Sequence, residues 1–364
     1  MYELMNGAAG VPIARRPANI EYHCVFDTVR ETGSHHFLHG AAVEAWHGRL
    51  AVCFAFNEHR ENSITEKLMI RWSDDGGRTW TAPEVIASSD SYANSHSVFL
   101  PQEDALWCFG PRFLGLGEPW TSASGNKGIT FKALQTEAWR YDGCSWQSMG
   151  LVAEDFWPLG APARTADGNW LIPGCDGKWL AAAAISHGGD LTKWDVIRPD
   201  TNGEIFTEAG AWVDGRRVML VMRNQSARTD GRFHAAVSLS EDGGRTFSPA
   251  ALSNLPMCTT KPFCGYLADG RPYLVFNESI PGRPYDRSRM LLGVGEKGSF
   301  RIDRLYLIDE GQPTDGNRRL MLSYPYARQI GDKLYIAYSS ESAPGRDANN
   351  NDAMLAVVDV NSLN

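Results

Sequence analysis

Short apolar runs separated by polar turns recur along the whole chain, and almost none carries the three-to-four-residue spacing of an amphipathic helix. Residues 41–46, 50–56, 68–72, 169–172, 218–222, 273–276 and 333–338 read as strands, alternating or continuously apolar and bounded by Gly, Pro, Asn, Asp or Ser. The 36 Gly and 19 Pro are spread throughout, which fits many short strands joined by turns. The longest apolar stretches, such as 181–185 and 218–222, fall far short of the ~20 residues a membrane helix requires.

One turn is repeated. Ser73-Asp-Asp75-Gly-Gly77-Arg-Thr79-Trp80 and Ser240-Glu-Asp242-Gly-Gly244-Arg-Thr246-Phe247 share the pattern S-x-D-x-G-x-T-[W/F], each directly after a strand pattern. In such a turn the Asp and Ser/Thr side chains satisfy backbone donors, the glycines take positive φ, and the aromatic folds back between strands. Degraded copies fall at 141–146, 186–194 and 295–300. The aromatics of the five copies stand at 80, 146, 194, 247 and 300, at intervals of 66, 48, 53 and 53 residues. That period suits a four-stranded blade, so the chain is expected to be all-β, a six-bladed β-propeller in one domain over residues 1–364. The blades are expected at 39–92, 93–156, 157–203, 204–259, 260–317 and 318–360. The last contains only three strands, and residues 20–27 are expected to supply its outer strand, which closes the ring and removes an open edge. A seventh blade fits only if residues 1–38 hold further strands.

Charge and cysteine content narrow the partners. The net charge is −8 with no run of Lys or Arg, which argues against nucleic acid and against a polybasic membrane contact. Seven scattered cysteines with no pair at metal-ligand spacing read as reduced, mostly buried thiols. The start, Met1-Tyr-Glu-Leu-Met-Asn, lacks the basic segment and apolar run of a secretory signal, so the chain as it stands reads as cytoplasmic or already processed. No zinc-type or EF-hand-type pattern occurs, and no essential cofactor is expected.

The repeated turn resembles the Asp box of sialidases and related enzymes, and the resemblance covers residues 20–360. Asp boxes lie on the outside of the blades, so they identify the superfamily and leave the chemistry open. Function in this architecture belongs to the axis, where the start of each innermost strand meets a shared funnel. His39, His96, Arg164, Glu208, Lys261 and Tyr324 stand at or before such starts. The stretch from Glu208 to Arg223 is similar to the sialidase segment in which a Glu is followed, after a strand-turn-strand, by a carboxylate-binding Arg. The resemblance implies that Glu208 activates a nucleophile, that Arg223 and then Arg289 grip an acid group, and that Tyr324 is the nucleophile, with Tyr326 beside it. Sialidases carry a first Arg in an Arg-Ile-Pro motif on blade one, and this chain has His39 there. His39-Gly, Phe156-Trp-Pro, Lys261-Pro-Phe and Ser323-Tyr-Pro-Tyr-Ala together look more like sialidase-fold enzymes acting on rhamnosyl–glucuronate linkages, which include both rhamnosidases and lyases.

The expected activity is therefore exo-acting hydrolysis of a glycan at or next to an acidic sugar. Tyr324 and Glu208 would form the nucleophilic pair, and His39 or a carboxylate of the 57–65 loop, Glu58 or Glu61, would protonate the leaving oxygen. The same residues serve a β-elimination at a uronate, with His39, His96 or Tyr324 taking the proton at C5. A glycan-binding propeller without catalysis is the third alternative. Each residue also has a plain structural reading: Glu208–Arg223 as a strand ion pair, Tyr324 as a core aromatic, the histidines as buried groups bonded to carbonyls, Arg164 and Lys261 as solvated or stem-packed cations. Trp120, Trp139 and Trp157 are candidates for stacking on a sugar. Loss of Arg223 is expected to abolish activity without loss of folding.

Overall fold

The computed structural model describes residues 1–6, 14–280, 283, 285–314, 319–342 and 350–363. Six antiparallel sheets built on strands at 37–87, 93–154, 157–197, 206–256, 263–310 and 322–359 form the blades of a six-bladed β-propeller, blades one to six in chain order. The sixth sheet takes Glu21–Phe26 as its outermost strand, paired antiparallel with Asn351–Asp359. Ring closure follows because the innermost strand of blade six, Leu322–Ile330, packs against Phe37–Trp46, the innermost strand of blade one. Among the described residues no helix is long and apolar enough to span a membrane.

A second N-terminal device was not legible in the pattern. Tyr2 and Met5 make parallel bridges to Ser253 on blade four and Ile302 on blade five, and Arg15 bridges Tyr306. Asn254 holds this arm by accepting from Leu4 N at 2.8 Å and Met5 N at 2.9 Å and donating to Met5 O at 2.8 Å. Leu4 and Met5 are buried with Trp212, Phe300 and Leu305, so the arm ties blades four and five together by apolar burial.

The repeated turns sit between the third and fourth strands of their blades. Asp242 Oδ1 accepts from Ser240 Oγ at 2.7 Å and Thr246 N at 2.9 Å, and Oδ2 accepts from Thr246 Oγ1 at 2.6 Å. Asp75 makes the same set with Ser73 and Thr79. The degraded copies occupy the matching turns of blades two, three and five; in the first of them Asp142 still accepts from Cys144 N and Ser145 N. Burial pushes the Asp242 carboxyl up, but the Thr246 and Ser240 bonds outweigh it and draw it down to about 2. Asp242→Ala is expected to lower the thermal midpoint by roughly 2–4 °C, with turnover per folded molecule unchanged. Because the folded carboxyl lies below its unfolded value, the difference is fully present at neutral pH and fades as pH falls towards 2. Melting curves of the two proteins at pH 7 and pH 3 check both statements.

The innermost strands of blades one, four and six share a distortion that builds the site. Each carries a β-bulge: pairing skips from His39 to Ala42, from Thr207 to Gly210, and from Ser323 to Tyr326. At the same point of each bulge one residue takes positive φ: Gly40 at 66°, Glu208 at 44° and Tyr324 at 55°. Left-handed backbone costs a Glu or Tyr of order 1 kcal/mol or more, and such strain persists where the surrounding fold holds it. The bulge swings its residue out of the sheet alternation, so Glu208 and Tyr324 turn into the channel instead of between blades. His96 and Lys261 likewise precede by two residues the first paired position of their strands, Val98 and Phe263.

Candidate active site

Glu208 and Tyr324 come from blades two apart and meet on the axis. The Tyr324 hydroxyl donates to Glu208 Oε1 in a short hydrogen bond. Glu208 Oε2 accepts from Arg223 Nη1 at 2.8 Å, and Trp179 Nε1 donates to Oε1 at 3.2 Å. Arg223 reaches this point because it sits opposite Thr207 on the neighbouring strand, and it is fixed by Gln225 Oε1, which accepts from Nε at 3.1 Å and Nη2 at 2.8 Å. Its guanidinium lies 4.8 Å from the Trp179 ring centroid. Glu208, Tyr324, Arg223 and Trp179 line a cavity of about 590 Å³ together with His39, His96, Trp157, Arg228 and Arg287.

The electrostatics of the pair are opposed. Burial pushes the Glu208 carboxyl up, but Arg223, the Tyr324 hydroxyl and Arg287 outweigh it and hold the group below its ordinary value. Burial and the Glu208 charge raise the Tyr324 phenol well above its ordinary value. The resting arrangement is therefore a neutral phenol donating to a carboxylate. The proton has no reason to cross until positive charge develops near the phenol oxygen.

Two imidazoles pack on the same phenol. The His39 ring centroid lies 3.9 Å and the His96 centroid 5.4 Å from that of Tyr324. Burial, followed by the charges of His96, Arg287, Lys261 and Arg223, holds His39 well below its ordinary value; burial and Lys261 bring His96 down to about 3. Both rings are uncharged at neutral pH. Gly40 is what admits His96, since a Cβ at position 40 would run into the His96 ring. Gly40→Ala is expected to lower the melting temperature and abolish whatever turnover the pocket supports. The double variant Gly40→Ala/His96→Gly, which removes the obstructing Cβ and ring together, is expected to recover only part of the melting temperature, because Ala at a φ of 66° stays strained.

Of the remaining residues expected at the site, Lys261 lies beneath the cavity. Its Nζ donates to Leu159 O at 3.0 Å and Pro325 O at 3.1 Å, 5.8 Å from the Tyr324 ring centroid, and burial pulls it down to about 8. It tethers blades three and six by their backbones and has no path to a ligand. Tyr326 is the residue at which pairing resumes after the bulge, so it returns to the sheet alternation and packs on Phe263 at 4.5 Å between centroids, away from the cavity lining. Arg164 is exposed, its guanidinium 5.6 Å from the Trp170 ring centroid, and does not line the cavity. Glu58 is exposed, pairs with Lys67 at 3.7 Å and faces a separate surface cleft; Glu61, on the same loop, is the one that lines the cavity. Arg289 is drawn away by Glu278 and Glu310, and the guanidinium that reaches the cavity from this blade is Arg287.

Arg287 Nη2 donates to Thr259 O at 2.7 Å and Nη1 approaches Ser323 Oγ at 3.4 Å. Arg228, on the one-turn helix Ala227–Asp230, sits 5.8 Å from the Tyr285 ring centroid, and burial, Arg223 and Arg287 depress its guanidinium. Among the described residues neither Arg228 nor Arg287 forms an ion pair with a carboxylate. Trp157 lines the cavity, whereas Trp139 is in the core and Trp120 spends its Nε1 on Lys178 O at 3.0 Å. Trp179, Arg228 and Arg287 were not singled out from the sequence. Trp179 has positive φ of its own and reaches Glu208 from a turn of blade three that no motif marks. Of the seven cysteines, all free, five are buried and Cys24 and Cys144 are exposed. Among the described residues no group of three or more His, Cys, Asp or Glu side chains is placed to hold a metal ion.

Comparison with known proteins places this arrangement in the sialidase-like propeller fold. Residues 48–336 match the BNR repeat-like domain, and the chain belongs to that family. No curated protein sequence matches it. Among solved structures, a protein of unknown function from Dyadobacter fermentans DSM 18053 is similar with a TM-score of 0.68 and 16% identity over 94% of this chain and 98% of that one. The intramolecular trans-sialidase from Ruminococcus gnavus, solved with oseltamivir carboxylate, has a TM-score of 0.66 and 14% identity over 90% and 95%. The Trypanosoma rangeli sialidase, solved with the inhibitor DANA, has a TM-score of 0.64 and 13% identity over 97% of this chain and 60% of that one. At these identities the likeness establishes the fold.

Proposed function

We propose that the protein is an exo-acting glycosidase that cleaves a glycosidic bond at an acidic sugar, with Tyr324 as nucleophile and Glu208 as its base. The observation that carries this reading is the Tyr324–Glu208 hydrogen bond at the closed end of a cavity into which Arg228 and Arg287 bring positive charge. A carboxylate nucleophile would repel the acid group of such a substrate, whereas a phenol is neutral until it reacts. As the Tyr324 oxygen bonds to the anomeric carbon, its proton passes to Glu208 and the bond to the leaving oxygen breaks. Glu61, facing the cavity from the loop after Arg49–Asn57, is the carboxyl we assign to protonate that oxygen. Water then attacks the same carbon, giving its proton to Glu61, while Glu208 returns a proton to the departing phenolate. This double displacement retains configuration. His39 and His96, being uncharged, position the phenol ring and are poor proton donors at neutral pH.

A second reading is β-elimination at a uronate, in which Arg228 and Arg287 acidify the C5 proton and the Tyr324–Glu208 pair accepts it; His39 and His96, held far below their ordinary values by burial, are weak bases for that step. Incubation with sialyl, glucuronyl and rhamnosyl-glucuronyl oligosaccharides, followed by mass analysis, separates the two. Hydrolysis adds one water to the summed products, and elimination adds none and leaves an unsaturated product absorbing in the near ultraviolet. Binding of these glycans without turnover of any would overturn both in favour of a lectin.

A further inference from the structure

The mouth of the cavity is divided by chemistry. Ten large hydrophobic side chains are exposed over the described residues; Tyr285 lines the cavity, and Ile64, Leu114 and Leu116 stand next to lining residues, Ile64 two positions after Asn62 and Leu116 across from Phe131. Leu116 is 44% exposed and pairs directly across from Phe131, so both side chains project from the same face of the excursion at 114–131. Phe131 and Ile129, two residues apart on that face, line the cavity. Gly115 approaches the backbone of Asn62, another lining residue, which brings Ile64 (43% exposed) beside the same wall. Opposite stand Arg228 and Arg287, the first against Tyr285. An exposed apolar patch beside a cationic rim marks a site for a ligand with matching apolar and anionic halves.

We propose that the Leu116–Ile129–Phe131 wall is a leaving-group subsite for an apolar aglycone, so that the substrates are anionic sugars joined to a hydrophobic moiety. This rests on the acidic-sugar reading of the arginine side, and the apolar half stands on its own observations. An acid group held by Arg228 and Arg287 orients the sugar over Tyr324. The bond to be broken then points towards the loop carrying Glu61 and the adjoining aliphatic wall. An alkyl or aryl leaving group would cover Leu116 and Ile129 against the already buried Phe131.

The test is calorimetric binding of methyl and octyl α-sialosides and methyl and octyl β-glucuronides to the Tyr324→Phe protein, which cannot turn them over. For the sugar that binds, the octyl glycoside is expected to bind at least about tenfold more tightly than the methyl glycoside. Leu116→Asn is expected to erase that difference and leave the methyl glycoside's affinity unchanged. Equal affinity for octyl and methyl forms of both sugars, or an octyl preference that survives Leu116→Asn, would overturn the subsite. Octyl glucoside measured alongside isolates the other half: if it matches the acidic octyl glycosides while the octyl preference persists, the acidic-sugar reading falls and the apolar subsite stands.

Discussion

Replacing Tyr324 by Phe is expected to lower kcat by on the order of a thousandfold or more while the protein stays folded. The hydroxyl is the group assigned to attack, and Glu208, the carboxylate beside it, is engaged by Arg223 and Trp179. The loss should leave no buried charge orphaned, because Glu208 keeps Arg223 Nη1 at 2.8 Å and Trp179 Nε1 at 3.2 Å. Phe also tolerates the positive φ at this position as well or as badly as Tyr, so the strain at the bulge is unchanged. The stability difference should therefore stay near that of one hydrogen bond, about 1 kcal/mol. The pH profile carries a second readout. In the wild type the acid limb belongs to Glu208, which sits below the ordinary carboxylate range, and no limb is expected near pH 6.5 because both neighbouring histidines are held neutral. Steady-state rates of both proteins on a substrate found by the product screen, measured from pH 4 to 9, check this. Undiminished kcat in the Tyr324→Phe protein would remove Tyr324 from the chemistry, and an acid limb near pH 6.5 in the wild type would bring a titrating histidine into it.

What the chain revealed in advance follows from how local each feature is. The blade count, the closing strand at Glu21–Phe26 and the Asp-box turns depend on alternation and on side chain–backbone bonds spanning a few residues, and such patterns are written in short stretches. Glu208, Tyr324, His39 and His96 could be placed at strand starts, and the strand starts converge on the axis in any propeller. Arg289 and Arg287 show where this reasoning fails. Both flank the start of Arg289–Val294, and which one enters the cavity depends on Glu278 and Glu310, which come from a neighbouring turn and strand and capture Arg289. Tyr326 misleads for a related reason, since the bulge between Ser323 and Tyr326 reverses the facing of successive residues and no residue type announces it. Gly40 is the one bulge position whose residue type hinted at left-handed backbone, and its partner His96 lies on the next blade.

The ion pair at the base of the site yields the largest expected change in stability. Arg223 and Glu208 are both about 3% exposed, and each is the other's principal counter-charge. A sequence reading that treats Arg223 as a channel-facing substrate anchor expects its loss to spare the fold. The burial of its partner argues the opposite, because removing one member of a buried pair strands the other. Arg223→Leu is expected to destabilise by roughly 3–5 kcal/mol at pH 7, and Arg223→Leu/Glu208→Leu to recover most of that. The pH dependence has a definite sign. In the wild type the depressed Glu208 carboxyl contributes stability that is present above the unfolded value and lost as pH falls through the folded one. In Arg223→Leu burial acts on Glu208 with its main opposing charge gone, so the folded carboxyl rises, and the variant loses stability as pH climbs through the ordinary carboxylate range. The gap between the two proteins should therefore close on acidification. Denaturant unfolding of the wild type, the single variant and the double variant at pH 4, 5.5 and 7 measures it. A single variant as stable as the wild type at pH 7, or a double variant no better than the single, would mean that Glu208 is held by something other than Arg223.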